Sequence, residues 1–243
     1  MKRNIFMVFF LFFMPFLSAY ADSKSNVPQS LKGSFWANEV LKGGYILHFR
    51  HGERNRYTTS PRTPETNVSS FDAVALALGL KGENEDFGIM TCLTDEGKAE
   101  AKLVGRAFEI LGVGISDIIS SPSCRARQTA YFAFGTEGRI VNSLLHRTSV
   151  RFDQHRDFTV NLRENMLKLN LAPGKNAIMS GHVGTLNYGE DILFEKNEVG
   201  NMGDRDDIGF VVIEKTENNT FIARYMFKHF AHFTQQVLEL PLN

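Results

Sequence analysis

Three short apolar runs, each stopping at a turn that carries a cation or a histidine, constrain this chain more than any other feature. The first is Tyr45 to Phe49, which ends in Arg50-His51-Gly52-Glu53-Arg54. Ile115 to Ser120 ends in Ser121-Pro122-Ser123-Cys124-Arg125, and Ala177 to Ser180 ends in Gly181-His182-Val183-Gly184. Apolar runs of about 4–8 residues bounded by turn residues suit buried strands. Between them lie stretches with helical spacing. Leu103, Val104, Ala107, Ile110 and Leu111 follow the capping residues Thr94 and Asp95 and stop at Gly112. Phe158, Leu162, Met166 and Leu169 stop at Pro173-Gly174. This layout predicts a single α/β domain, with a mostly parallel sheet flanked by helices on both faces. Ligands of such sheets sit at the carboxyl ends of the strands, where the three turns fall.

The first turn has the chemistry of a phosphate site. Arg50 and Arg54 each offer a planar fork of N–H donors that matches phosphate oxygens. His51 between them is a competent nucleophile when neutral. Gly52 lacks a Cβ and lets the backbone turn sharply or approach a neighbour closely. The competing reading of these residues alone is a solvated loop that happens to be basic. Arg125 is placed with helix-terminal N–H groups, an arrangement that attracts anions. Arg127, two residues further along a helix, points elsewhere and reads as a surface cation.

Arg50-His51-Gly52 resembles the signature of the histidine phosphatase superfamily, the phosphoglycerate-mutase-like enzymes. Two further stretches resemble the same family in the same order: Ser121-Pro122 through Arg125 to Thr129-Ala130, and Gly181-His182. Leu93-Thr94-Asp95-Glu96-Gly97 is similar to the family's opening of its first long helix, and the matching segments spread from Tyr45 to Phe227. The resemblance implies that His51 takes up a phosphoryl group as a phosphohistidine that water then hydrolyses. Arg50, Arg54 and Arg125 would bind the phosphate and His182 would add a donor, with no metal and no other cofactor. Arg54 in the Arg-His-Gly-x-Arg order resembles the phosphatase members more than the mutases.

The proton donor to the leaving group is the weak point of that match. One branch of the family carries an Asp directly after the second histidine, where this chain has Val183. The other carries a Glu between the second motif and that histidine. Asp153 falls about there and is the candidate acid, with Glu53, Glu190 and Asp191 as alternatives. A chain without the acid would suit a phospholigand-binding module, and a metal-dependent esterase would be betrayed by sensitivity to a chelator. Arg50 to Arg54, Cys92-Leu93-Thr94 and Asp207 to Val211 are also similar to the lipopolysaccharide core heptose phosphatases. That likeness implies a small phosphorylated substrate of the envelope sugar phosphate class.

The 243 residues carry 27 basic and 27 acidic side chains, so no global field draws the chain to nucleic acid. Residues 1–21 have Lys2 and Arg3 before an apolar run and end in Ala19-Tyr20-Ala21, the pattern of a secretory signal peptide. The expectation is a periplasmic or secreted domain over 22–243, with no stable membrane anchor after cleavage. The polar stretch within 55–90 reads as an inserted lid. Export permits Cys92 and Cys124, the two cysteines, to pair; two free buried thiols are the alternative. Trp36 is expected in the core. His229 and His232 read as surface or core residues.

Overall fold

The computed structural model describes residues 28, 31–54, 92–146, 155–187, 194–197 and 204–239. The signal peptide, the 55–90 insertion, Asp153, Glu190 and Asp191 lie outside the described residues. The helices are α1 (Lys32–Lys42), α2 (Asp95–Ile110), α3 (Cys124–Phe134), α4 (His155–Leu167) and α5 (Phe230–Leu238). The strands are β1 (Ile46–Arg50), β2 (Gly114–Ser120), β3 (Arg139–Ile140), β4 (Lys175–Gly181), β5 (Phe194–Asn197), β6 (Phe210–Lys215) and β7 (Phe221–Phe227). Short 3-10 turns at Asn142–Leu144 and Val183–Asn187 follow β3 and β4.

All the strands join one sheet in the order β3-β2-β4-β1-β6-β7-β5. The pairs β3–β2, β2–β4, β4–β1 and β7–β5 are parallel, whereas β1–β6 and β6–β7 are antiparallel. This is the mostly parallel α/β sheet that the strand–turn–helix pattern predicts. Its order has one consequence for the site: β2, β4 and β1 lie side by side with their carboxyl ends together. Because β6 runs against β1, pairing Phe210 with Phe49, the segment leading into β6 also reaches that end.

Helices cover both faces. Successive residues of β1 point to opposite sides, so Leu47 and Phe49 join Trp36, Val104, Phe108, Phe230 and Phe233 in one layer. Ile46 joins Leu162 and Met166 of α4 in the other. Each fully buried Phe or Leu contributes about 1.5–3 kcal/mol by leaving water. Thr94 caps α2, its Oγ1 accepting from Gly97 N at 3.0 Å, and Asp95 and Glu96 sit at the positive end of the helix.

Three details differ from the sequence reading. Arg127 is not a free surface cation: its Nε donates to Pro122 O at 3.0 Å, bracing the turn before α3. Residues 230–238, to which the sequence reading assigned no element, form α5, with Phe230 and Phe233 buried. A segment rich in Phe at uneven spacing gives a poor periodic signal, and packing against α1 decides it. His229 caps this helix, its Nδ1 accepting from Ala231 N at 3.0 Å. The four-residue β5 also lay below the sequence signal.

Cys92 and Cys124 are joined in a disulfide across a separation of 32 residues, fastening the approach to α2 onto the first residue of α3. Closing a loop of that size restricts the unfolded chain by about 3–4 kcal/mol. Urea unfolding with and without reductant is expected to differ by that amount. Coincident curves, with reduction verified by thiol titration, would contradict it.

Candidate active site

The register of β1 on β4 pairs Arg50 with Gly181. The next residue of each strand is a histidine, so the sheet itself sets His51 beside His182. Their rings stand edge to face, 5.3 Å apart between centroids. The His51 N–H donates to Gly181 O at 3.1 Å, continuing the ladder one residue past the strand. On the other side of β4, Ser121 N donates to Ser180 O at 2.9 Å, which brings the Ser121–Arg125 turn against His182.

Two close contacts lock the His51 turn to the helices. Gly52 N donates to Thr129 Oγ1 at 2.9 Å, and that hydroxyl donates to Arg125 O at 2.7 Å. A Cβ on Gly52 would stand 3.0 Å from Gly97 O, and one on Gly97 would run into Glu53 O. Both glycines are therefore needed for close backbone approach, which accounts for Gly97 at the start of α2.

His51 is oriented by its own turn. Its Nδ1 lies 2.7 Å from Gly52 O. A carbonyl only accepts, so the proton of the neutral ring sits on Nδ1 and the Nε2 lone pair is left bare. Burial, then the Arg125 guanidinium, with Arg50 and Arg54 behind it, hold the imidazole well below its ordinary value of 6.5. The ring stays neutral at pH 7, ready as a nucleophile.

Beside it, His182 is fully buried, with Nε2 at 3.1 Å from Ser121 Oγ and 3.2 Å from Ser123 Oγ. Its ring also meets His146 edge to face at 5.4 Å. Burial, then Arg125, His51, His146 and His48, push it below 6.5. No carboxylate is in that set. Val183 opens the 3-10 turn after β4 and supplies no acid. The Glu53 carboxylate acts on Glu100, whose own carboxyl is pushed up by burial, with Asp207 and Glu53 adding to the rise.

Of the arginines singled out by the sequence, Arg125, in the first turn of α3, is 2% exposed and acts electrostatically on both His51 and His182. Arg54 lies on an isolated bridge to Leu93 and acts on His51 electrostatically. Arg50 is partly engaged by the protein: its Nη1 donates to Arg205 O at 2.6 Å and its Nε pairs with Asp207 at 3.0 Å.

Arg205 itself was missed, as was His48. Arg205 is buried against His48 and the backbone of His182. Its Nη1 donates to His48 O at 2.6 Å and lies 3.1 Å from His48 Nδ1, while Nη2 donates to His182 O at 3.2 Å. Burial, and secondarily the charge of Arg50, pull it down to about 9. It remains a cation at pH 7 and ties β1 to the residue after β4. Asp-Arg-Asp-Asp in the sequence reads as an exposed charged loop, so the only available signal was a lone arginine near the Asp207–Val211 stretch.

His48, His51 and His182 share a stability consequence. Burial is the largest cause that lowers each of them below 6.5, followed by Arg205 for His48 and by Arg125 for the other two. Above pH 6.5 both folded and unfolded chains keep them neutral and they contribute nothing. As pH falls through 6.5 the unfolded chain takes up protons that the folded chain refuses, so stability drops. The slope approaches roughly 1.4 kcal/mol per pH unit for each histidine, until its depressed folded value is reached. Urea midpoints are expected to fall steadily below pH 6.5; a flat profile to pH 5 would contradict this.

No protein-family model matches the sequence, and no curated protein matches it. Solved structures do. The protein histidine phosphatase SixA complexed with tungstate is 13% identical, over 75% of this chain and 96% of that one, with a TM-score of 0.46. Mycobacterial glucosyl-3-phosphoglycerate phosphatase Rv2419c is 11% identical, over 73% and 93%, with a TM-score of 0.47. A phosphoserine phosphatase from Entamoeba histolytica is 14% identical, over 75% and 95%, with a TM-score of 0.43. All three are phosphatases by name. At 11–14% identity and TM-scores of 0.43–0.47, none of them assigns a substrate or a residue to this chain.

Proposed function

We propose that this protein is a metal-independent phosphatase that hydrolyses small phosphomonoesters through a phosphohistidine on His51. The observation that carries the reading is the hydrogen bond from His51 Nδ1 to Gly52 O at 2.7 Å. It leaves a bare Nε2 on a neutral ring, within the field of Arg125, Arg50 and Arg54. Phosphoryl transfer asks for positioning and for neutralisation of charge on the transferring oxygens, and permanent cations supply both.

In the first step His51 Nε2 bonds to phosphorus as the ester P–O bond breaks, and the leaving oxygen takes up a proton. In the second, water attacks the phosphohistidine and its proton is removed, which frees His51 and inorganic phosphate. Arg50, Arg54, Arg125 and His182 hold the phosphoryl oxygens throughout. The proton donor of the first step is assigned to Asp153, as the family resemblance implies.

Residues 1–21 support export to the periplasm or beyond, and the Cys92–Cys124 bond suits an oxidising compartment. With the likeness to heptose phosphatases in the sequence, these favour an envelope sugar phosphate as substrate. The test is hydrolysis of an aryl phosphate by the purified protein with a chelator present. Chelator-resistant turnover is expected. Tight phosphate binding without turnover would favour a phospholigand-binding module, and turnover abolished by the chelator would favour a metal-dependent esterase.

A further inference from the structure

The family resemblance gives the leaving-group proton to Asp153, outside the described residues; the described residues themselves offer another donor. The charged and titratable groups that act most on His182 are Arg125, His51, His146 and His48. Arg125 keeps its charge at any working pH and cannot pass on a proton. His51 spends its Nδ1 proton on Gly52 O and attacks with Nε2. His48 is fully buried within β1, with Nδ1 at 3.1 Å from Arg205 Nη1. Of the four, His146 is the one that is partly exposed, where a leaving group and solvent can reach it.

Its place at the carboxyl end of the sheet is built. β3 pairs with β2, and Val141 N then donates to Ser120 O at 2.9 Å. The 3-10 turn Asn142–Leu144 carries the chain on to His146, anchored by the buried Val141, Leu144 and Leu145. Thr185 clips this stretch to the turn after β4. Its N donates to His182 O at 3.3 Å and its Oγ1 donates to Leu144 O at 3.4 Å. The His146 ring thus meets His182 edge to face at 5.4 Å, as the His51 ring does at 5.3 Å.

The sheet order sets the two on opposite flanks. β4 lies between β1 and β2, so His51 comes to His182 from the β1 side and His146 from the β2–β3 side. In-line displacement at phosphorus asks for the attacking and leaving atoms on opposite sides. A phosphoryl group held over His182, with His51 behind it, turns its leaving oxygen towards His146.

We propose that His146 is a catalytic residue, the proton donor to the leaving oxygen, in place of Asp153. The inference rests on the phosphohistidine reading above. An imidazolium titrates at about 6.5 in ordinary surroundings, which suits it to give a proton and take one back near neutral pH. In the first step His51 Nε2 bonds to phosphorus and the ester P–O bond breaks with its electron pair on the leaving oxygen, which protonated His146 neutralises. In the second, neutral His146 takes a proton from the attacking water as the N–P bond breaks and its pair returns to His51.

The experiment compares phenyl phosphate, whose phenolate leaves poorly, with dinitrophenyl phosphate, whose phenolate leaves without a proton. In His146→Gln, kcat on phenyl phosphate is expected to fall roughly 10²-fold or more. The rate on dinitrophenyl phosphate is expected within about tenfold of wild type, which also shows that the variant folds. His146→Glu returns a proton donor and is expected to recover part of the phenyl phosphate rate. Equal losses on both esters in folded His146→Gln, or no loss on either, overturn the proposal. The same leaving-group dependence in Asp153→Asn instead, or a wild type that hydrolyses the dinitrophenyl ester alone, also overturns it. Should His146→Gln not fold, His146→Asn is judged on the same two esters. A wild type that is inactive, or active without phosphohistidine at His51, sinks the underlying reading and this inference with it. Equal losses in an enzyme that does carry phosphohistidine at His51 sink this inference alone.

Discussion

His51→Ala is expected to lower kcat on an aryl phosphate by at least about 10³-fold, the scale on which loss of an enzyme nucleophile is felt. The substitution removes a group whose Nε2 is left bare by a backbone carbonyl and set among cations. It should leave the fold in place, because the His51 backbone bond to Gly181 O and the Gly52 bond to Thr129 do not involve the ring. Losing a buried histidine also removes a group that refuses protons, so the acid-side loss of stability should be shallower in this variant. Steady-state rates with urea unfolding of the same preparation check both statements. A rate within tenfold of wild type would remove His51 from the chemistry.

Arg205→Met is expected to separate stability from activity. Two opposing contributions act on stability. The carbonyls of His48 and His182 lose their donors, at about 1–3 kcal/mol each. Against that, a buried cation with no carboxylate in hydrogen-bonding contact among the described residues disappears. Its depression to about 9 reflects a cost of several kcal/mol. The net change is expected within about 2 kcal/mol of zero. Turnover is another matter, since a displacement of an ångström at a reacting group can cost about 10²-fold. With the His182 carbonyl released and Arg50 resting on a shifted Arg205 backbone, a loss of roughly 10–10²-fold in kcat is expected. Arg205→Lys keeps the charge with fewer donors and should fall between. A folded Arg205→Met protein with wild-type kcat would contradict the positioning role.

Much of this site was legible in the sequence because the signals are local. A short apolar run followed by Arg-His-Gly, or by Gly-His, states both a strand end and a side chain at that end. Parallel pairing of two such strands does the rest, as the Arg50–Gly181 register shows. Arg205 was not legible, because its partners His48 and His182 lie 157 and 23 residues away and only the sheet order brings them together. His48 read as a filler of an apolar strand, with nothing nearby to mark it as Arg205's partner. Ser121 and Ser123 were read as turn residues, and their hydroxyls gained a role only once β2 and β4 were seen as neighbours. Arg127 was assigned to the surface by helix periodicity, but a backbone carbonyl five residues earlier in the chain captured it. The C-terminal helix failed for the opposite reason: aromatic residues favour strands as isolated types, and burial against α1 overrode that preference.

The central claim is a covalent phosphoryl group on His51 Nε2, and rapid quenching during turnover tests it directly. Protein mixed with excess aryl phosphate, stopped in base and digested, is expected to yield one phosphorylated peptide, the one containing His51. That modification should be stable to base and labile to acid, and absent from His51→Ala. A phosphoryl group on any other residue, or active protein that never carries one above the background of His51→Ala, would contradict the account.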